Sequence, residues 1–112
     1  MLVKTLSSPF GGQARTRVLV SLRLLESSFP RELSRLLSVP VSAASRALAG
    51  LERDGLVVGR LIGRSRVYTL NPRYFAKQEL ESYLLRLSDA DAELRKRTAQ
   101  LRRRPRWAGK PL

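Results

Sequence analysis

The chain contains no cysteine and no histidine. That excludes disulfides, thiolate metal sites, zinc fingers and any catalysis or sensing by imidazole. Aromatic residues are few, three Phe, three Tyr and one Trp, and no strand pattern gathers them into a platform for stacking RNA bases. No apolar run approaches the ~20 residues of a membrane span. The opening MLVKTL is too short for a secretory signal, so a soluble, cytoplasmic protein is expected. Acidic residues are scarce, nine against 22 Lys and Arg. Scattered carboxylates without His or Cys offer no acid–base pair, nucleophile or phosphate loop, so neither an enzyme nor a metal or other cofactor is expected.

What is present is positive charge. The 112 residues suit one small domain with an extension, and a hydrophobic fraction of 43% suits a modest core. A formal charge of +13 and a pI near 11.6 point to a polyanionic partner, nucleic acid before an acidic membrane surface. Arg outnumbers Lys 18 to 4; its planar fork suits phosphates and guanine edges, although a GC-rich genome produces the same bias. Residues 1–55 and 76–112 carry both signs, whereas residues 56–75 carry four bases and no acid.

Apolar spacing organises the chain. Leu2, Val3 and Leu6 precede a Ser-Ser-Pro-Phe-Gly-Gly breaker, which makes residues 1–12 an N-terminal arm. Ala14, Val18, Leu22 and Leu25, widened by Leu19, predict a helix over about 13–26. Pro30 and Glu32 mark the start of a second helix, about 30–37, that buries Leu33, Leu36 and Leu37. After Ser38-Val39-Pro40 a third helix, about 41–54, buries Ala44, Leu48 and Leu51. Gly55 is placed to close it in the left-handed conformation, with Leu56 folding back on Leu51. Leu56–Val58 and Arg66–Leu70 read as strands about a turn at 62–65, ended by Asn71-Pro72.

Two short helices joined by three residues, the second followed by a hairpin, predict a winged helix-turn-helix over residues 13–74. The fold expected is mainly α with a small β-hairpin wing. Stepping 100° per residue from Ala44, the opposite face of the third helix carries Ser42, Arg46, Ala49, Gly50 and Arg53. Small side chains let such a helix sit deep in a groove, where Arg46 reaches a guanine edge or a phosphate. Ser42 and Ser45 suit phosphate oxygens, and Ala43 a thymine methyl. Arg60, Arg64 and Arg66 cluster about Gly63 at the wing tip, suited to backbone or minor groove; a charge-protected edge strand accounts for fewer bases.

The run LSRLLSVPVSAASRALAGLERDGLV, followed by R-x-x-G-R-x-x-x-Y-x-L from Arg60 to Leu70, resembles the winged helix-turn-helix of ArsR-type regulators of bacteria and archaea. A similar module accompanies some nucleotidyltransferase-like proteins. The resemblance covers about residues 13–87 and implies a DNA-binding regulator. It matches Ser42, Ala43, Ser45 and Arg46 to groove-facing positions and Arg64 to the wing tip. The chain departs from the family in having no Cys or His for metal sensing, Pro40 where a small polar residue is usual, and Ala43 where a polar one is common.

Beyond the wing, Leu80, Leu84, Leu87, Leu94 and Leu101 are spaced 4, 3, 7 and 7. That heptad-like seam predicts one long helix over 75–103, on the order of 40 Å, too long for its own domain to cover. A homodimer joined through those leucines follows, supported by the i,i+4 pairs Asp91–Arg95 and Glu93–Arg97. Residues 104–112, with Arg106 and Trp107, read as a basic disordered tail. The function expected is a homodimeric regulator of transcription, most simply a repressor, bound to double-stranded DNA. The alternatives are an interaction module for a co-encoded enzyme and a non-specific architectural DNA binder.

Overall fold

Pro30, Gly55 and Gly63 punctuate the chain, and the elements fall between them. The computed structural model describes residues 10–103. Residues 1–9 of the expected arm and the whole of the expected tail lie outside the described residues. Five helices and one antiparallel hairpin make up the described chain: α1 Gln13–Leu25, α2 Pro30–Leu37, α3 Val41–Arg53, β1 Val57–Ile62, β2 Ser65–Leu70, α4 Lys77–Ser88 and α5 Ala92–Arg102. The order and the hairpin are compatible with a winged-helix layout.

Helix α1 is the centre of the fold. It packs on every other helix and on β2, and so it is buried on more than one face. Val18, Leu19, Ser21 and Leu22 are all but inaccessible, whereas Ala14, placed on the buried stripe by spacing, is exposed. The buried hydroxyls of α1 turn back to the preceding turn: Thr16 Oγ1 donates to the Gly12 carbonyl at 2.9 Å and Ser21 Oγ to that of Arg17 at 2.7 Å.

Pro30 opens α2, where a missing N–H costs nothing. Ser38, left-handed with φ 58°, closes it, and Ser34 ties off the turn by donating Oγ to the Val39 carbonyl at 2.5 Å. Helix α3 starts at once, Pro40 O accepting from Ala43 and Ala44. Gly55, at φ 82°, ends it. Its N–H bonds to Glu52 O and that of Leu56 to Leu51 O, the paired bonds of a Schellman cap, with Leu51 and Leu56 both in the core. Asn71 locks this corner by donating its side-chain amide to Gly55 O and its backbone N–H to Leu56 O, each at 2.9 Å.

The hairpin pairs Val57 with Leu70 through Ile62 with Ser65. That leaves Gly63-Arg64 as a two-residue turn, with the positive φ it requires, 63°, carried by Gly63. The base of the hairpin is broadened by Ser28, from the α1–α2 connection, which exchanges two backbone hydrogen bonds with Tyr68. Ser28 also donates its hydroxyl to the buried Glu32 carboxylate at 2.6 Å.

The C-terminal region corrects two expectations. The stretch 75–103 is not one helix. It breaks at residues 89–91, and Asp91 becomes the N-cap of α5, accepting from Leu94 N–H at 3.2 Å and from Arg17 Nε at 3.3 Å. Arg95 therefore pairs with Asp89 at 2.6 Å instead of Asp91, while Glu93–Arg97 forms as spaced. The second correction concerns the leucine seam. Leu80, Leu84, Leu87 and Leu94 are at most 9% exposed, and Leu101 packs partly buried against the same core. The chain's own α1 and α2 cover them, because the break lets α5 fold back across both helices. Arg97 and Arg102 then donate to the Leu36 and Leu24 carbonyls at 2.9 and 2.8 Å, placing cations at the negative ends of α2 and α1. The proposed dimerisation leucines pack into the chain's own core, Leu101 at its edge.

Candidate nucleic-acid interface

Helix α3 presents one solvent-facing stripe. Ser42, Ser45, Arg46, Ala49 and Arg53 are all exposed, spaced about one turn apart. Ala43 lies off that stripe and is half-buried. Gly50 corrects the helical wheel: it is buried, and a Cβ there would clash with Nη2 of Arg15. With no side chain at this position, the Arg15 guanidinium crosses over the helix to reach Asp54 at 3.0 Å. Gly50→Ala would displace only the mobile end of Arg15 while gaining about 1 kcal/mol of helix propensity, against a surface ion pair worth up to about 1 kcal/mol. The variant is expected within about 1 kcal/mol of the parent in urea unfolding; a loss well beyond that would show that Arg15 cannot give way.

The wing arginines divide. Arg60 and Arg64 are exposed and have no acidic partner among the described residues. Arg66, opposite Leu61 near the turn, is held against α3, its Nη2 3.3 Å from the Glu52 carboxylate and its Nε donating to Tyr68 Oη at 3.2 Å. Its guanidinium also lies 5.7 Å from the Tyr68 ring centre. The hydrogen bond to Tyr68, and then the Glu52 charge, raise its pKa, so it remains a fixed cation. Glu52 accepts in addition from Gly59 N–H at 3.1 Å, so one carboxylate joins the last turn of α3 to both strands. Gly59 is required beneath it, because a Cβ would meet the Tyr68 ring at 2.8 Å. Arg66 is thus a brace that sets the angle of the wing to α3.

Sequence reasoning missed Arg31 and Arg35. They lie one turn apart on α2, both exposed, without acidic partners among the described residues. Their i,i+4 spacing, opposite Leu33, Leu36 and Leu37, was the available signal. The Glu32 between them is turned inward to Ser28.

The sorting of charge defines the surface. Of the four acids from α1 to the wing, Glu26 pairs with Arg102, Glu52 with Arg66 and Asp54 with Arg15, while Glu32 is buried against Ser28. Arg31, Arg35, Arg46, Arg53, Arg60 and Arg64 are left exposed without an acidic partner among the described residues. Such a field attracts polyanions, and Arg forks bind phosphate bidentately. The described residues contain no cluster of three potential metal ligands, and none of their helices is long and apolar enough to cross a membrane. Comparison of the chain with protein families, with curated proteins and with solved structures finds no match.

Proposed function

We propose that the protein is a DNA-binding regulator of transcription, with α2 and α3 as a helix-turn-helix and the hairpin as its wing. The observation that carries this reading is the charge sorting. Each acid near α3 and the wing has a partner within the chain, Asp54 remaining half exposed beside Arg15, and a contiguous run of elements presents arginines that have no acidic partner among the described residues. The small Ser42, Ser45 and Ala49 leave room for α3 in a major groove about 12 Å wide, with Arg46 aimed at base edges. Arg53, Arg60 and Arg64 fall to the phosphates, with Arg31 and Arg35 on the strand that α2 would cross. The motifs around 45–48, 55–56 and 63–64 support an ArsR-like regulator without metal sensing. A cytoplasmic protein of this size represses most simply by occupying a promoter.

Action as a pair on an inverted repeat belongs to the proposal, but the buried leucines no longer support it. The outward stripe of α4 is the better candidate surface for a second copy. Glu79, exposed and without a partner among the described residues, lies seven residues before the equally exposed Arg86, with Ser82 between. Two antiparallel copies of α4 bring Glu79 of each opposite Arg86 of the other.

Selection of bound duplexes from a random pool tests the reading. The parent is expected to enrich inverted half-sites about one helical turn apart. Arg46→Ala is expected to relax one position of the half-site, costing ~1–3 kcal/mol of discrimination there. Arg64→Ala is expected to weaken all sequences alike. Stoichiometric capture of a protein partner, with no duplex bound at ~100 mM salt, would favour the interaction-module alternative.

A further inference from the structure

The tip of the wing carries a feature that phosphate binding does not use. Residues 60–66 are exposed without interruption. Leu61 is 70% and Ile62 58% exposed, the most exposed large aliphatic residues among those described. Strand register puts them on opposite faces of the hairpin: Leu61 shares a face with Arg66 and Tyr68, Ile62 with Ser65 and Val67. The tip therefore carries one exposed aliphatic residue on each face, opposite Arg66 and Ser65, and its turn lies about 10 Å beyond the Arg60–Val67 pair, the last with a buried member, at 3.3 Å per residue. A solvated hairpin tip is ordinarily polar, because exposed apolar strands invite aggregation. Here the two aliphatic residues are bracketed by Arg60 and Arg64, with no acid anywhere from 55 to 78.

We propose that this tip is a minor-groove wedge, in which Leu61 and Ile62 enter between base pairs and unstack a step while Arg60 and Arg64 hold the phosphates on either side. The proposal rests on the DNA-binding reading above and deepens it. The minor groove, about 6 Å wide, admits a two-residue turn and excludes a helix. Apolar wedges of Leu or Ile, flanked by cations, open a base step there and kink the duplex towards the major groove. The tip is braced for such work. Glu52 holds Arg66 and Gly59 N–H, Tyr68 covers Gly59, and Ser28 pairs with Tyr68 at the base. Insertion is cheapest at flexible pyrimidine–purine steps, TA and CA/TG, so the wedge selects sequence at a position no side chain hydrogen-bonds.

The test uses the full chain and a duplex recovered by selection. One probe is a donor–acceptor pair on its ends, and the other is 2-aminopurine at the step facing the wing. The parent is expected to bend the duplex by several tens of degrees, within the roughly 20–90° range of such proteins, and to brighten the 2-aminopurine. The double variant Leu61→Ser, Ile62→Ser is expected to keep its circular dichroism and its salt dependence, since both arginines remain. It should lose the bend and the brightening, together with about 3- to 30-fold in affinity and the preference for a flexible step. A parent that binds without bending, or a double variant that bends as the parent does, overturns the wedge and leaves the DNA-binding reading standing. A parent that forms no complex overturns both.

Discussion

Leu94→Ala is expected to lower the free energy of unfolding by about 2–5 kcal/mol, the cost of a large-to-small change at a closed core site. Leu94 is fully inaccessible, within one hydrophobic core that includes Leu19, Leu33 and Leu84. It stands in the first turn of α5, directly after the Asp91 cap, so the cavity opens where that helix docks. The loss should appear in urea unfolding with a midpoint independent of protein concentration, because the packing is internal to one chain. The leucine-seam arrangement makes the opposite forecast: a small change in monomer stability and a shift from dimer to monomer by sedimentation. The two measurements together decide whether 92–102 belongs to the chain's own core.

The elements from 13 to 70 were legible because independent signals agree there. Periodicity names the buried faces of α1, α2 and α3, while Pro30, Gly55 and Gly63 mark ends where each has a physical task. The break at 89–91 escaped because it holds neither Gly nor Pro. Leucines spaced 4, 3, 7 and 7 satisfy a long seam and a folded-back pair of helices equally well. Asp91 with Glu93 just behind it was the readable sign of a new N-terminus. Within the candidate site, exposure of Ser42, Ser45, Arg46, Arg53, Arg60 and Arg64 followed from helix phase and strand position. The burial of Gly50 and the bracing of Arg66 did not, because their partners, Arg15 and Glu52, lie 35 and 14 residues away in the chain. A wheel sees one helix at a time. It cannot register that a guanidinium from α1 covers one side of α3, or that an acid at the end of α3 ties down one wing arginine.

The larger functional effect is expected from Arg53, Arg60 and Arg64. Replacing all three by Gln removes three exposed cations that have no acidic partner among the described residues. The cavity and capping arguments do not apply to them, so stability should change by no more than about 0.5 kcal/mol. Each phosphate contact releases close to one counterion. Losing three should therefore weaken duplex binding about 10²- to 10³-fold near 0.1 M salt. Arg66 belongs in a different category. Arg66→Gln removes a brace from Glu52 and Tyr68 as well as a charge, so its effect mixes wing orientation with electrostatics and is a poorer test of phosphate contact.

A chain of charge +13 binds polyanions to some degree wherever its bases lie, so the decisive comparison is between two sets of equal charge. Lys96 and Arg103 are exposed and without acidic partners among the described residues, as Arg60 and Arg64 are. They stand within α5 and at its C-terminal cap, on a helix that packs on α1, α2 and α4. The measurement is the slope of log affinity against log salt concentration, read by fluorescence anisotropy on one duplex for the parent and the two double-Gln variants. The wing pair is expected to lose about 1.8 from the slope, at ~0.9 per contact, and the α5 pair to lose well under one. Equal losses in the two variants would contradict the account, leaving a generally basic protein without a defined DNA-binding face.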